Sequence, residues 1–208
     1  MNPALDLRCA DLRAADMTGL NMRRINLYQA DLRDAKLEGV NLHDASLSGA
    51  DLRNADLDSV QFFGASLLGA DLRRADLRKS ILAGADITCA DFSGANLQDA
   101  VLPGLLWRPC IFKITFPAPN FADANLRRAS LVNTDFNHVD FSNADLRESS
   151  LDNADFTHAN LEGADLRNAD LTRANFFSAN LNGADLRGAT LTFARFDYAT
   201  TSGCRGCP

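Results

Sequence analysis

Residues 30–54 read ADLRDAKLEGVNLHDASLSGADLRN, with Leu32, Leu37, Leu42, Leu47 and Leu52 falling at every fifth position. The rule extends outward in both directions. A large apolar side chain recurs every five residues from Leu7 through Leu12, Met17, Met22 and Leu27 to Leu102, and again from Phe121 to Phe196. Two residues before each stands something small, most often alanine, as at Ala10, Ala30, Ala45, Ala50, Ala70, Ala95, Ala154, Ala164 and Ala184. A period of five fits neither the 3.6 of a helix nor the 2 of a strand, so the chain is a repeat architecture. Within each unit the small residue and the Leu or Phe are two apart. An extended backbone turns both inward and turns the intervening Asp or Asn outward.

A second period sets the number of sides. The tetrapeptide ADLR places Asp11, Asp31, Asp51 and Asp71 twenty residues apart, and Asp145, Asp165 and Asp185 likewise. Four units per turn give a square β-helix in which each residue stacks on the one twenty positions later, at ~4.8 Å. Asp76-Leu77-Arg78 repeats the motif off this column. The expected structural core includes Leu12, Leu32, Leu52, Leu72, Phe92, Leu126, Leu146, Leu166 and Leu186.

On these columns the chain resembles the pentapeptide-repeat family of A(D/N)LXX type. That resemblance implies an all-β fold, a right-handed quadrilateral β-helix of about nine coils at ~4.8 Å each. The organisation expected is one solenoid over 1–208: a first block over 5–102, a Pro and aromatic loop or register break over 103–120, a second block over 121–199 and a tail over 200–208.

The break gathers Pro103, Pro109, Pro117 and Pro119 with Trp107, Phe112 and Phe116. One reading keeps the coil running with a one-residue deletion. The other makes it a fourteen-residue excursion leaving after Leu102 and returning at Phe121 on the next side. The second is preferred, because it aligns Arg127, Arg147, Arg167 and Arg187 with Arg13, Arg33, Arg53 and Arg73, and Phe63 with Phe177. Proline also fits poorly inside a sheet, and long loops in compact repeats are commonly functional. Trp107, Arg108, Phe112, Lys113 and Phe116 are therefore the candidate protein-binding residues.

Composition bounds the function. The formal net charge is −6, with 11 basic and 15 acidic residues in 1–102, Arg108 and Lys113 alone in 103–120, and 8 basic against 12 acidic in 121–208. An acidic rod disfavours direct nucleic-acid binding, which requires a clustered positive face. No apolar stretch approaches a membrane span and no secretory segment is evident, so a cytoplasmic protein is expected. Five scattered cysteines do not make a disulfide framework, which agrees with a reducing compartment.

The arginine column offers guanidinium groups that could hold carboxylates or phosphates, but each Arg has an Asp two residues earlier and the opposed ladders neutralise one another. His138 and His158, twenty apart, should stack, with Ser178 rather than a third ligand at the next step. Cys204 and Cys207 have redox or zinc spacing without the context for either, and read as a frayed tail. No catalytic set, metal site or cofactor site emerges, because each Asp recurs by structural rule.

In the gyrase-protecting, quinolone-resistance branch of the family, projecting loops help engage the topoisomerase, and members dimerise at their C-termini. That resemblance implies DNA gyrase or another topoisomerase as an alternative partner. Open solenoid ends need covering, and aromatic Phe193, Phe196 and Tyr198 in the last coil suggest a homodimer paired end to end at the C-terminus, as in that branch.

Overall fold

The computed structural model describes residues 6–106 and 118–208. Over these residues parallel bridges join positions twenty apart, and four columns of them form the faces of a square coil. Face 1 runs through Asp11, Asp31, Asp51, Asp71 and Asp91, and face 2 through Asp16, Lys36, Asp56, Asp76 and Asn96. Face 3 runs through Asn21, Asn41, Gln61, Ile81 and Val101, and face 4 through Asp6, Asn26, Ser46, Ser66, Asp86 and Leu106.

Each side is too short for a continuous strand: one residue bridges, and a turn follows. Leu32 N–H donates to the Asp51 carbonyl at 2.8 Å, Asp51 N–H donates back to Ala30 at 3.0 Å, and Ala35 N–H closes a four-residue turn onto Leu32 at 3.1 Å. The third turn residue lies in the left-handed region, as at Asp34 (φ 59°) and Asn54 (φ 58°), which makes these type II turns. For an L-residue that conformation costs about 1–2 kcal/mol.

The outward Asp or Asn offsets the strain locally. Asp31 Oδ1 accepts the Arg33 backbone N–H at 3.3 Å and Asp155 Oδ1 accepts that of Thr157 at 2.9 Å, so the side chain satisfies a donor the turn would leave open. This bond is the physical basis of the (D/N) in the repeat.

The interior is a stack of aliphatic and aromatic layers. Leu32, Leu52, Leu72, Phe92, Leu126, Leu146, Leu166 and Leu186 are buried, and Leu12 is partly buried. Phenylalanines form two stacks, Phe92–Phe121–Phe141 on face 1 and Phe136–Phe156–Phe176–Phe196 on face 4. Ring centroids are 4.8–5.3 Å apart within each stack. Phe136 and Phe141 meet edge to face at 5.0 Å, which links the stacks.

Neither expected register for the break is the one observed. Asn120 bridges Asp91, Asn125 bridges Asn96 and Ser130 bridges Val101, each 29 residues earlier where 20 is the rule. The chain therefore carries nine extra residues. It continues beyond Leu102 to Leu106 on face 4, whose N–H donates to Ala85, and resumes on face 1 at Asn120. Phe121 stacks on Phe92, which fixes the returning face.

The second block likewise extends past residue 199. Thr200 bridges Asn180 and Arg205 bridges Asp185, so 200–205 is coil and not a frayed tail. Gly206 occupies the position above Leu186 where the repeat has Leu. A Cβ there would meet the Leu186 and Arg187 backbone at 2.9 Å, so the chain dips onto the coil below. Cys204 and Cys207 join in a disulfide packed against the core.

Candidate functional site

With the interior filled, any function falls to the outward side chains, and these divide into three regions. The first is a pair of charged ladders. Where Arg follows the outward Asp by two, its Nε and Nη2 grip that carboxylate: 2.9 and 2.6 Å for Arg33 on Asp31, 2.8 and 2.6 Å for Arg53 on Asp51, 2.9 and 2.6 Å for Arg73 on Asp71. Each Nε also lies near the carboxylate of the next coil, 3.5 Å for Arg33 to Asp51 and 3.8 Å for Arg73 to Asp91. The face 1 ladder ends there, because Ser93 and Ala122 follow in its column.

On face 2 Arg78 pairs with Asp76, the next two coils carry Asn96 with Gln98 and Asn125 with Arg127, and a second ladder then runs through Arg147, Arg167 and Arg187 with Asp145, Asp165 and Asp185. The tetrapeptide that stood off the column in sequence shares this face, separated from the ladder by two coils. Arg127, Arg147, Arg167 and Arg187 consequently do not share a face with Arg13 to Arg73, and Phe63 on face 3 does not align with Phe177 on face 4. The cause is an insertion of nine residues, not fourteen.

These bonds set the acidities. The Arg13 guanidinium and backbone N–H hold Asp11 down at about 2, Arg187 does the same for Asp185, and the two-bond contact from Arg128 (2.6 and 2.8 Å) holds Asp99 at about 2. The partnered arginines are raised correspondingly. All of these pairs face solvent, so they contribute little to stability.

The second region is apolar. The outward bridging position is polar or charged throughout the described residues except at Ile81, Val101 and Leu106. Those three are neighbours: Ile81 bridges Val101, and Leu106 follows around the Gly104 corner. Phe63 and Leu68 extend the patch by one coil, with exposures of 51% for Phe63 and 56% for Leu106. Asp86, bonded to Thr88 at 2.6 Å, supplies the carboxylate between them. Sequence reasoning missed this surface, although the signal was present as three failures of the (D/N) rule within 26 residues, 81–106. Each failure gives up the turn-capping bond and leaves an apolar side chain facing solvent.

The third region is an aromatic stripe leading to the last coil. His138 stacks on His158 at 4.9 Å, His158 meets the edge of Phe177 at 6.0 Å, and Phe177 meets Tyr198 at 5.3 Å. Phe193 and Tyr198 are exposed, 77% and 82%, whereas Phe196 is half-buried on Phe176. Among the described residues no group of three or more His, Cys, Asp or Glu is arranged to hold a metal. The candidate loop residues Trp107, Arg108, Phe112, Lys113 and Phe116 lie outside the described residues.

Comparison with known proteins agrees with this geometry. The family model for pentapeptide repeats matches residues 6–44, 41–78, 65–104, 120–157, 154–192 and 169–205, leaving unmatched the stretch where the nine residues are inserted. Among solved structures, HetL, a pentapeptide repeat protein involved in heterocyst differentiation regulation in the cyanobacterium Nostoc sp. strain PCC 7120, is 28% identical over 95% of this chain and 90% of its own, with a TM-score of 0.47. Full-length QnrB1, a plasmid-mediated fluoroquinolone resistance protein, is 17% identical over 86% of this chain and 90% of its own, with a TM-score of 0.46. A pentapeptide repeat protein of the Arabidopsis thaliana thylakoid lumen is 27% identical over 64% and 69% of the two chains, with a TM-score of 0.24. No curated protein sequence matches the chain.

Proposed function

From its membership of the pentapeptide-repeat family, to which this chain belongs, we propose that the protein is a non-enzymatic, rigid rod that binds another protein through its side. The rod is a right-handed quadrilateral helix, roughly 45 Å long at the ~4.8 Å strand spacing. The observation that carries the reading is the patch of Ile81, Val101 and Leu106 with Phe63 and Leu68, which includes the three apolar residues at an outward bridging position that is polar or charged elsewhere among the described residues.

The patch borders the start of the 107–117 segment. This supports extending the docking surface to the candidate residues Trp107, Arg108, Phe112, Lys113 and Phe116. Exposed Phe193 and Tyr198 support a homodimer through the last coil. A monomeric mass across a wide concentration range would rule that dimer out.

The alternative is a DNA mimic that occupies a type II topoisomerase such as DNA gyrase and protects it from fluoroquinolones. Its support is the acidic balance of the coils. The two Arg ladders weigh against it, because they break the continuous negative potential a mimic requires.

The test uses the repeat's own rule. Ile81→Asp and Val101→Asp introduce the residue type that caps the turn at Asp31, Asp51 and Asp71, so the double variant is expected to fold. Affinity capture of a defined protein partner that fails with the double variant supports the scaffold reading, and undiminished capture removes the patch. Gyrase supercoiling with and without a fluoroquinolone, comparing the intact chain with one in which 103–120 is a short linker, tests the mimic. Loop-dependent protection would put the mimic first.

A further inference from the structure

Where the Arg–Asp pairing fails, the structure leaves a cation without a carboxylate. Arg33, Arg53 and Arg73 each commit Nε and Nη2 to their own Asp, and among the described residues their Nη1 nitrogens make no hydrogen bond. The adjoining corner column reads Asp34, Asn54, Arg74, Gly94 and Asp123. Asn54 bonds Asp34 at 3.2 Å, whereas Arg74 has no ion-pair partner among the described residues, so its whole guanidinium fork is available.

The missing side chains below shape the space. The Arg column stops at Ser93, and the corner column drops to Gly94, over which the Arg74 stem lies: its Cγ is 3.5 Å from where a glycine Cβ would stand. The result is a groove of about 720 Å³ lined by Arg33, Arg53, Arg73 and Arg74 together with Asp34, Asn54, Ser93, Gly94 and Asp123. The residues 71–80 carry Arg73, Arg74, Arg78 and Lys79 against only Asp71 and Asp76, the reverse of the chain's overall balance.

Chemistry narrows the ligand. No aromatic side chain lines the groove, so a nucleobase or other flat ring has nothing to stack on. A planar carboxylate would be satisfied by the Arg74 fork alone. A phosphoryl group spreads a charge of about −1.5 to −2 over three acceptor oxygens, which matches donors arriving from different coils: the Arg74 fork, the outer Nη1 of Arg53 and Arg73, and the Ser93 hydroxyl.

We propose that the groove centred on Arg74 binds the phosphate group of a small, non-aromatic anion, a single phosphoryl group or a short linear polyphosphate. The inference is independent of the protein-binding patch, which lies on the opposite corner of the coil. Because the groove opens to solvent, binding weakens as ionic strength rises.

The experiment follows arginine Nε resonances of the full chain during titration with sodium phosphate and with sodium tripolyphosphate, ionic strength held constant. A saturable shift at Arg74 is expected, with affinity falling at least tenfold in Arg74→Gln and changing less than twofold in Arg187→Gln, which removes a paired arginine far from the groove. Tighter binding of tripolyphosphate assigns a chain, and equal binding assigns a single phosphoryl group. No saturable shift with either probe at millimolar concentration overturns the site. So does an equal loss in both variants, which would report net charge alone, or unchanged binding in Arg74→Gln.

Discussion

The nine-residue insertion can be tested by the coupling between two rings that it brings together. Phe92 and Phe121 are both fully buried and stack at 4.8 Å with planes 7° apart. Each can be replaced by Leu, the residue that the same column carries at Leu72 and Leu161. A single Phe→Leu change removes about three buried carbons at about 0.8 kcal/mol each, so each variant should lose about 2 kcal/mol. A stacked aromatic pair contributes about 0.5–1.5 kcal/mol beyond its buried area. The double variant should therefore be less destabilised than the summed singles by that amount. Phe92 with Phe156, which stacks on Phe136 and Phe176 instead, should couple by no more than about 0.3–0.5 kcal/mol. Guanidinium unfolding followed by circular dichroism at constant m gives each term. Coupling below about 0.3 kcal/mol for Phe92 with Phe121 would mean that the chain returns on another face.

Three further outcomes are expected. Leu72→Ala, deep in the first block, should cost about 2–5 kcal/mol in the same unfolding assay. Asn153→Val places a β-branched residue at φ 56° and should cost about 1–2 kcal/mol, while Asn153→Gly should be tolerated; equal effects would place the strain elsewhere. Asp11, Asp99 and Asp185 have folded values of about 2 against 3.8. A depressed carboxylate contributes fully above its unfolded value, and that contribution is lost as pH falls from about 4 to about 2. The melting temperature should decline through that window, and less in Asp185→Asn, which keeps an acceptor for the Arg187 N–H but not the charge. An identical decline in both proteins would assign the acid sensitivity to other groups.

The five-residue period was enough to read which side chains face in and which face out, because side-chain direction along an extended unit is a local property of the backbone. The twenty-residue spacing of Asp31, Asp51 and Asp71 was enough for the square section, because the stacked copies are identical. Neither period could say on which face the chain returns after Leu106. A repeat of five records phase within a unit, and all four faces share that phase. The face was decided by packing, with Phe121 seated between Phe92 and Phe141 in one aromatic stack. That seating carried the second Arg ladder from face 1 to face 2, the face that also holds Asp76-Leu77-Arg78. The apolar patch and the Arg74 groove were hidden for the same reason: each joins residues from several coils, and a side chain is left without a partner only by what stacks above and below it.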